Sequence, residues 1–210
     1  MWWLLFLPVV SGLTHSELTI DTYLDGHILD SVNCDPDSEP MLLYIPQGVT
    51  SIKYVRDCNI VDVYFQPSVE VIQARAFENT NIISADLAST NLMTIGEDAF
   101  SWCESLETVA FPDTLKTIGK SAFNGCISLK TVTFPAEVDI GQQAFGSLEE
   151  ATFLGDFAQD YSFGSLKHAY FAEGISQADR NAVCGDGCEQ HDIPDECTSL
   201  SKKYAEECCS

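Results

Sequence analysis

The sequence predicts a repeat solenoid: a stack of short coils, β-rich, with one or two short strands and a short helical or turn segment in each. Three observations predict it. First, TIGEDAFSWCESLETVAFP (94–112) returns as TIGKSAFNGCISLKTVTFP (117–135), 23 residues later. A fixed period of roughly 20–50 residues marks architectures whose units pack on copies of themselves. Second, the pairs Ala76-Phe77, Ala99-Phe100, Ala122-Phe123 and Ala144-Phe145 recur at spacings of 23, 23 and 22 residues. Third, each full copy ends in an alternation of polar or small with large apolar residues, closed by a proline. That is the pattern of a half-buried strand that stops where no N–H is left for a ladder.

In chain order, MWWLLFLPVVSG is an apolar run ending in small residues, as in a secretory signal, with cleavage expected after Gly12 or Ser16. No Lys or Arg precedes Lys53, so the positive flank of such a signal is missing and a buried N-terminal strand is the competing reading. Residues 1–16 are read as a signal peptide and 17–40 as an acidic N-terminal cap. Between Leu13 and Ile45 stand seven acids and no Lys or Arg.

The array itself is expected over residues 41–172. Ile72, Ile95, Ile118 and Ile140 each stand five residues before a Phe of the pairs. After the Phe comes Cys103 or Cys126, then Leu106-x-x-Val109-x-Phe111-Pro112 or Leu129-x-x-Val132-x-Phe134-Pro135. Weaker copies flank these: LLYIPQGVTSI (42–52), VYFQPSVEVI (63–72), FGSLEEATF (145–153) and FGSLKHAYF (163–171). One unit cannot cover its own apolar face. Stacking at ~4.8 Å per strand sets Ile on Ile and Phe on Phe in one continuous core. An aromatic ligand-binding stripe is the alternative for the Phe column. A Phe recurring at one register, with Ala before it, is what an inward-facing position requires.

The pattern I-G-x-x-A-F-x-x-C-x-x-L-x-x-V-x-F-P-x-x-L-x-x-I resembles the BspA-type leucine-rich repeat family, strongly over 71–153 and partially over 41–70 and 154–172. The resemblance implies a right-handed leucine-rich-repeat array with a strand in each coil. It also implies a place on the cell surface, since the family occurs there in bacteria and protists. Many members are regarded as adhesins or surface antigens that contact host proteins or cells. No catalytic residue comes with the resemblance.

Composition narrows the partners. A formal charge of −22 argues against nucleic acid, whose phosphates would be repelled. It also disfavours an anionic membrane leaflet. No stretch after the N-terminal run reaches the ~18 apolar residues needed to span a bilayer. The sequence holds no G-x-S-x-G, P-loop, G-x-G-x-x-G or H-E-x-x-H motif, so neither an enzyme nor a cofactor is expected.

The nine cysteines suit an oxidising compartment and divide in two. Cys58, Cys103 and Cys126 fall at or near one repeat position and are expected to be small core residues. Cys34, Cys184, Cys188, Cys197, Cys208 and Cys209 are the disulfide candidates, the last five forming a Cys-rich acidic C-terminal cap over 173–210, expected to be loop-rich. Zinc held by these cysteines with His191 is the competing reading. Calcium on Asp186, Glu189, Asp192, Asp195 and Glu196 competes with a solvated acidic loop, since the EF-hand spacing is absent. His15, His27, His168 and His191 are scattered along the chain, and no metal site is expected.

Function is then expected to be secreted or cell-surface protein recognition or adhesion, with a host or extracellular-matrix protein as partner. The expected surface is the strand face, where outward positions stack into columns. One column holds Glu107, Lys130, Glu149 and Lys167; a second Thr108, Thr131, Glu150 and His168; a third Ala110, Thr133, Thr152 and Tyr170. The alternative function is an acidic structural or matrix protein that binds divalent cations or assembles through Cys208 and Cys209.

Overall fold

The computed structural model describes residues 22–25, 27–32, 39–55, 59–155, 163, 165–184 and 188–193. The signal-peptide reading of 1–16, together with Cys34, Cys58, Cys197, Cys208 and Cys209, lies outside the described residues.

A hairpin of β1 (Thr22–Asp25) and β2 (Ile28–Val32) leads into coils that each pair a longer strand with a short one. In order these are β3 (Met41–Tyr44) and β4 (Ser51–Ile52), β5 (Ile60–Tyr64) and β6 (Val71–Ile72), β7 (Ser84–Asp86) and β8 (Thr94–Ile95). Then come β9 (Thr108–Ala110) and β10 (Thr117–Ile118), β11 (Thr131–Phe134) and β12 (Asp139–Ile140). In the last coils the described residues include only the longer strand, β13 (Glu150–Phe153) and β14 (His168–Phe171). The helix α1 (Gln177–Cys184) and strand β15 (Glu189–Asp192) follow.

The short strands, with the N-terminal hairpin, form one seven-stranded sheet in the order β1-β2-β4-β6-β8-β10-β12. The longer strands form two four-stranded sheets, β3-β5-β7-β9 and β11-β13-β14-β15. All pairings except β1 with β2 are parallel. This is a parallel-strand β-solenoid with little helix.

Stacking of identical side chains explains the period. Phe77, Phe100, Phe123 and Phe145 lie in one buried column, with ring centroids 5.1, 5.0 and 4.9 Å apart. Phe111, Phe134, Phe153 and Phe171 make a second, at 6.1, 5.1 and 5.3 Å. These spacings follow the strand separation because each ring sits on the copy from the previous coil. The Phe111–Phe134 contact carries the core across the junction between the two four-stranded sheets. Gly119 marks a close approach of backbones: a Cβ there would stand 2.5 Å from the amide nitrogen of Glu97.

The Ala-Phe segment is a turn, not a helix, and the cause is regular. Arg75, Asp98, Ser121 and Gln143, each just before an Ala-Phe pair, all have φ between 54° and 60°. Asn79 and Trp102 repeat this after the Phe, and Gly125 occupies the corresponding place at φ 80°. Left-handed residues are costly for most side chains. Here they turn alternate N–H groups toward the next coil. The N–H groups of Asp98, Phe100 and Trp102 donate to the carbonyls of Lys120, Ala122 and Asn124 at 3.0, 2.7 and 2.8 Å.

Cys103 and Cys126 are buried free thiols in this turn. Each donates to a carbonyl of the preceding coil, Phe77 O and Phe100 O, both at 3.1 Å. Burial pushes both thiols up from their ordinary pKa, so they stay protonated and unreactive.

Where a loop-rich cap is expected, residues 173–184 and 188–193 hold a helix and a strand. Ser176 caps α1, its hydroxyl accepting from the Asp179 amide at 3.2 Å and donating to the Asp179 carboxylate. Cys184 and Cys188 form a disulfide between α1 and β15. Arg180 Nη1 reaches Asp192 Oδ1 at 2.6 Å, and Ile175, Val183 and Ile193 extend the core. Among the described residues no helix is long and apolar enough to cross a membrane.

Candidate functional site

The pleat of the longer strands decides which side chains face out. In β3, Met41 and Leu43 are buried while Leu42 and Tyr44 are exposed. In β11, Val132 and Phe134 go inward while Thr131 and Thr133 take the outer side. Parallel in-register pairing then lines up the outward residues. Thr131, Glu150, His168 and Glu189 form one row across β11, β13, β14 and β15. Thr133, Thr152, Tyr170 and His191 form the next.

The predicted columns therefore assemble from Lys130 onward. Just before these strands, Lys130, Glu149 and Lys167 make a linked row: Glu149 Oε1 is 3.2 Å from Lys130 Nζ, and Glu149 Oε2 is 2.5 Å from Lys167 Nζ. Hydrogen bonds from Lys167 first and Lys130 second hold the Glu149 carboxyl below the usual glutamate range. A shallow depression follows this row, lined by Ile127, Lys130, Ser147, Glu149, Ser165 and Lys167. Glu107, Thr108 and Ala110 belong to the other sheet, on or just before its edge strand β9, where Ser84 pairs with Thr108 and Asp86 with Ala110. Glu107 and Thr108 are exposed there.

Two groups on this face were not singled out from the sequence. Tyr44 and Tyr64 are about half exposed and stack at 4.5 Å with planes 4° apart. Their signal was the shared Tyr before the corner in LLYIP and VYFQP. The Tyr64 phenol is raised above the usual tyrosine range, first by Tyr44 and then by Asp62. The second group corrects the reading of the histidines as scattered. Pairing of β14 with β15 brings His168 Nδ1 to 3.3 Å from His191 Nε2. Glu189 Oε2 lies 3.4 Å from the first and 3.9 Å from the second. Only the register of a strand beyond the repeats could reveal this, and no repeat letter marks β15.

Of the disulfide candidates, Cys184 and Cys188 are bonded to each other. In this structure they hold no thiolate for the zinc set of tail cysteines with His191.

Parallel coils, a largely apolar interior and outward columns of unlike side chains define a leucine-rich-repeat type of solenoid. The family model for the BspA type leucine rich repeat region matches residues 42–152 in 6 copies, and the chain belongs to that family. A search of curated proteins found no match. Similar solved structures include the pneumococcal vaccine antigen PcpA, at 20% identity and TM-score 0.47, over 70% of this chain and 49% of that one. The chain thus spans about half the length of PcpA. A Treponema pallidum leucine rich repeat protein aligns at 21% identity and TM-score 0.42, over 83% of this chain and 89% of that one. A leucine-rich repeat protein from Bacteroides capillosus aligns at 25% identity and TM-score 0.36, over 62% and 75%.

Proposed function

We propose that this is a secreted or cell-surface protein that recognises or adheres to another protein through its longer-strand face, and that it is not an enzyme. The observation that carries the reading is the register. Inward letters repeat from coil to coil, whereas the outward row Thr131, Glu150, His168, Glu189 changes chemistry at every strand. A rigid core beneath varied exposed columns suits recognition, because side chains can differ there without disturbing the stack. The family adds support, as its repeats are of a recognition type. The partner class is an extracellular or host protein with a surface of mixed charge. On this reading residues 1–16 direct export, 17–40 and 173–210 cap the array, and 41–172 present the site.

The residues proposed to contact the partner are Glu107, Thr108, Lys130, Thr131, Glu149, Glu150, Lys167, His168 and Tyr170. Charge reversal at Glu107, Lys130 and Glu149 together is expected to weaken partner binding while the protein stays folded, with only the small stability loss of exposed ion pairs. Added salt should weaken binding too, since exposed charges beyond ~10 Å are screened at 0.1 M. Reversal of Asp192, Asp195 and Glu196 in the tail is the control and should leave binding intact. Binding lost only in the tail variant would move the site to the Cys-rich end.

A further inference from the structure

We propose that His168, Glu189 and His191 form a binding site for a borderline divalent transition metal of the zinc class, which ties β15 to the last coil of the array. Two neighbouring strands supply the ligands. His168 and Glu189 are direct partners across β14 and β15, and His191 is two residues further along β15 on the same face. All three donor atoms lie within 4.8 Å of one another.

The distances fit the first shell of a metal. Donors around a tetrahedral zinc bonded at about 2.0–2.2 Å stand about 3.3–3.6 Å apart. Here the separations are 3.3, 3.4 and 3.9 Å. The circle through the three atoms has a radius of about 2.1 Å, so one point reaches all three at a normal bond length. Glu189 is the most exposed of the three, at 74%, and is free to adjust the last few tenths of an ångström. Two imidazoles and one carboxylate suit zinc, copper or nickel better than calcium, which takes oxygen alone.

The surroundings prepare the set. Tyr170 stacks on the His191 ring at 4.9 Å and 22°, which fixes its plane. Glu150 lies beside His168 in the adjoining strand and adds negative potential. The solvent side leaves room for a fourth donor, such as water. Bound metal would bridge β14 to a strand outside the repeats, one that the Arg180–Asp192 contact and the Cys184–Cys188 bond already tie to α1.

The test is zinc titrated into the full chain after chelator treatment, followed by calorimetry and thermal melting. The native chain should take up a single equivalent and melt at higher temperature, because the metal binds only the folded state. H168Q and H191Q should each weaken binding by at least about a hundredfold, since even outer-shell changes at metal sites cost 10–100-fold. Both imidazoles are more than one-third exposed, so circular dichroism should show both variants folded. Cobalt substituted for zinc should give tetrahedral bands without a thiolate charge-transfer band. No uptake by the native chain, unchanged uptake in both variants, or a thiolate band reporting tail cysteines would each overturn the site.

Discussion

The two four-stranded sheets share one core and one pleat, yet they present different side chains to solvent. On β3-β5-β7-β9 the outward side holds Leu42 and the stacked pair Tyr44 and Tyr64, with the acids Asp62 and Asp86 beside them. On β11-β13-β14-β15 it holds the Lys130–Glu149–Lys167 row and the His168–Glu189–His191 cluster. Beneath both runs one column of Phe rings, from Phe77 to Phe145. The difference teaches that the period constrains only the inward half of each strand. Outward positions answer to solvent and partner, so neighbouring coils can diverge there within a single stack.

The sharpest way to break this comparison is to empty the shared core. Phe77→Ala beneath the aromatic half, Phe123→Ala at the junction and Phe145→Ala beneath the ion-paired half should each cost ~3–5 kcal/mol. Phe123 has rings on three sides, Phe100, Phe145 and Phe111 at 5.0, 4.9 and 5.9 Å. Lys130→Ala on the surface should stay within ~0.5 kcal/mol. Denaturant melts decide the matter: a neutral Phe123→Ala, or a lesion felt in one half only, would show that the core is not continuous.

A smaller loss is expected from Gly119→Ala. The added methyl meets the backbone of Glu97 and Gly96 at 2.5 Å, and neither can rotate away. Overpacking of this kind costs ~1–3 kcal/mol. The same change at Gly48, with nothing within 4 Å of its Cβ position, tests the opposite case. There φ is 89°, so any loss comes from backbone conformation instead of contact. Equal effects with rescued coil spacing in Gly119→Ala would reject the close-approach argument.

How much of this was legible follows from what repeats. Phe100, Phe123, Ile95 and Ile118 announce their burial because each must match a copy one coil away. At the Ala-Phe pair the letters do not separate helix from turn, because the cause is a backbone angle. Asp98, Ser121 and Gln143 share φ near 55° but no side-chain feature that a sequence pattern could register. The columns Glu149-Lys167 and Thr152-Tyr170 followed from counting along a strand. The division of the longer strands into two sheets did not, since β9 and β11 carry the same letters as any other neighbours. His191 and Glu189 were hardest. They sit in an acidic tail with no repeat, and only the pairing of β15 with β14 gives them a register.

Titration separates the two halves by sign. In the aromatic half, the Tyr44 neighbour and then Asp62 raise the Tyr64 phenol. Its absorbance change on ionisation should come at higher pH than free tyrosine, and Tyr44→Phe should bring it back down. A raised pKa means the fold favours the protonated phenol. The linked stability is therefore complete below the unfolded tyrosine pKa and is lost as pH rises through the folded value. A Tyr64 midpoint at or below that of free tyrosine would refute the stacked, charge-shaded environment.

In the ion-paired half the smallest effect runs the other way. Glu149 is held below the usual glutamate range by Lys167 and then Lys130. A lowered pKa means the fold favours the carboxylate. Its contribution is present above the unfolded glutamate pKa and fades as pH falls through the folded value. Side-chain carbon NMR of Glu149 should show a midpoint below that of a free glutamate. Lys167→Met should raise that midpoint more than Lys130→Met, because the Lys167 contact is shorter, 2.5 against 3.2 Å. The shift should shrink with added salt, as expected for a pair open to solvent on its outer side. Equal responses to the two lysine changes would mean that Glu149 is shared symmetrically. An unshifted Glu149 would mean that the row Lys130, Glu149, Lys167 is three independent charges, and the contrast between the two sheets would then rest on the tyrosines and the His168–Glu189–His191 cluster.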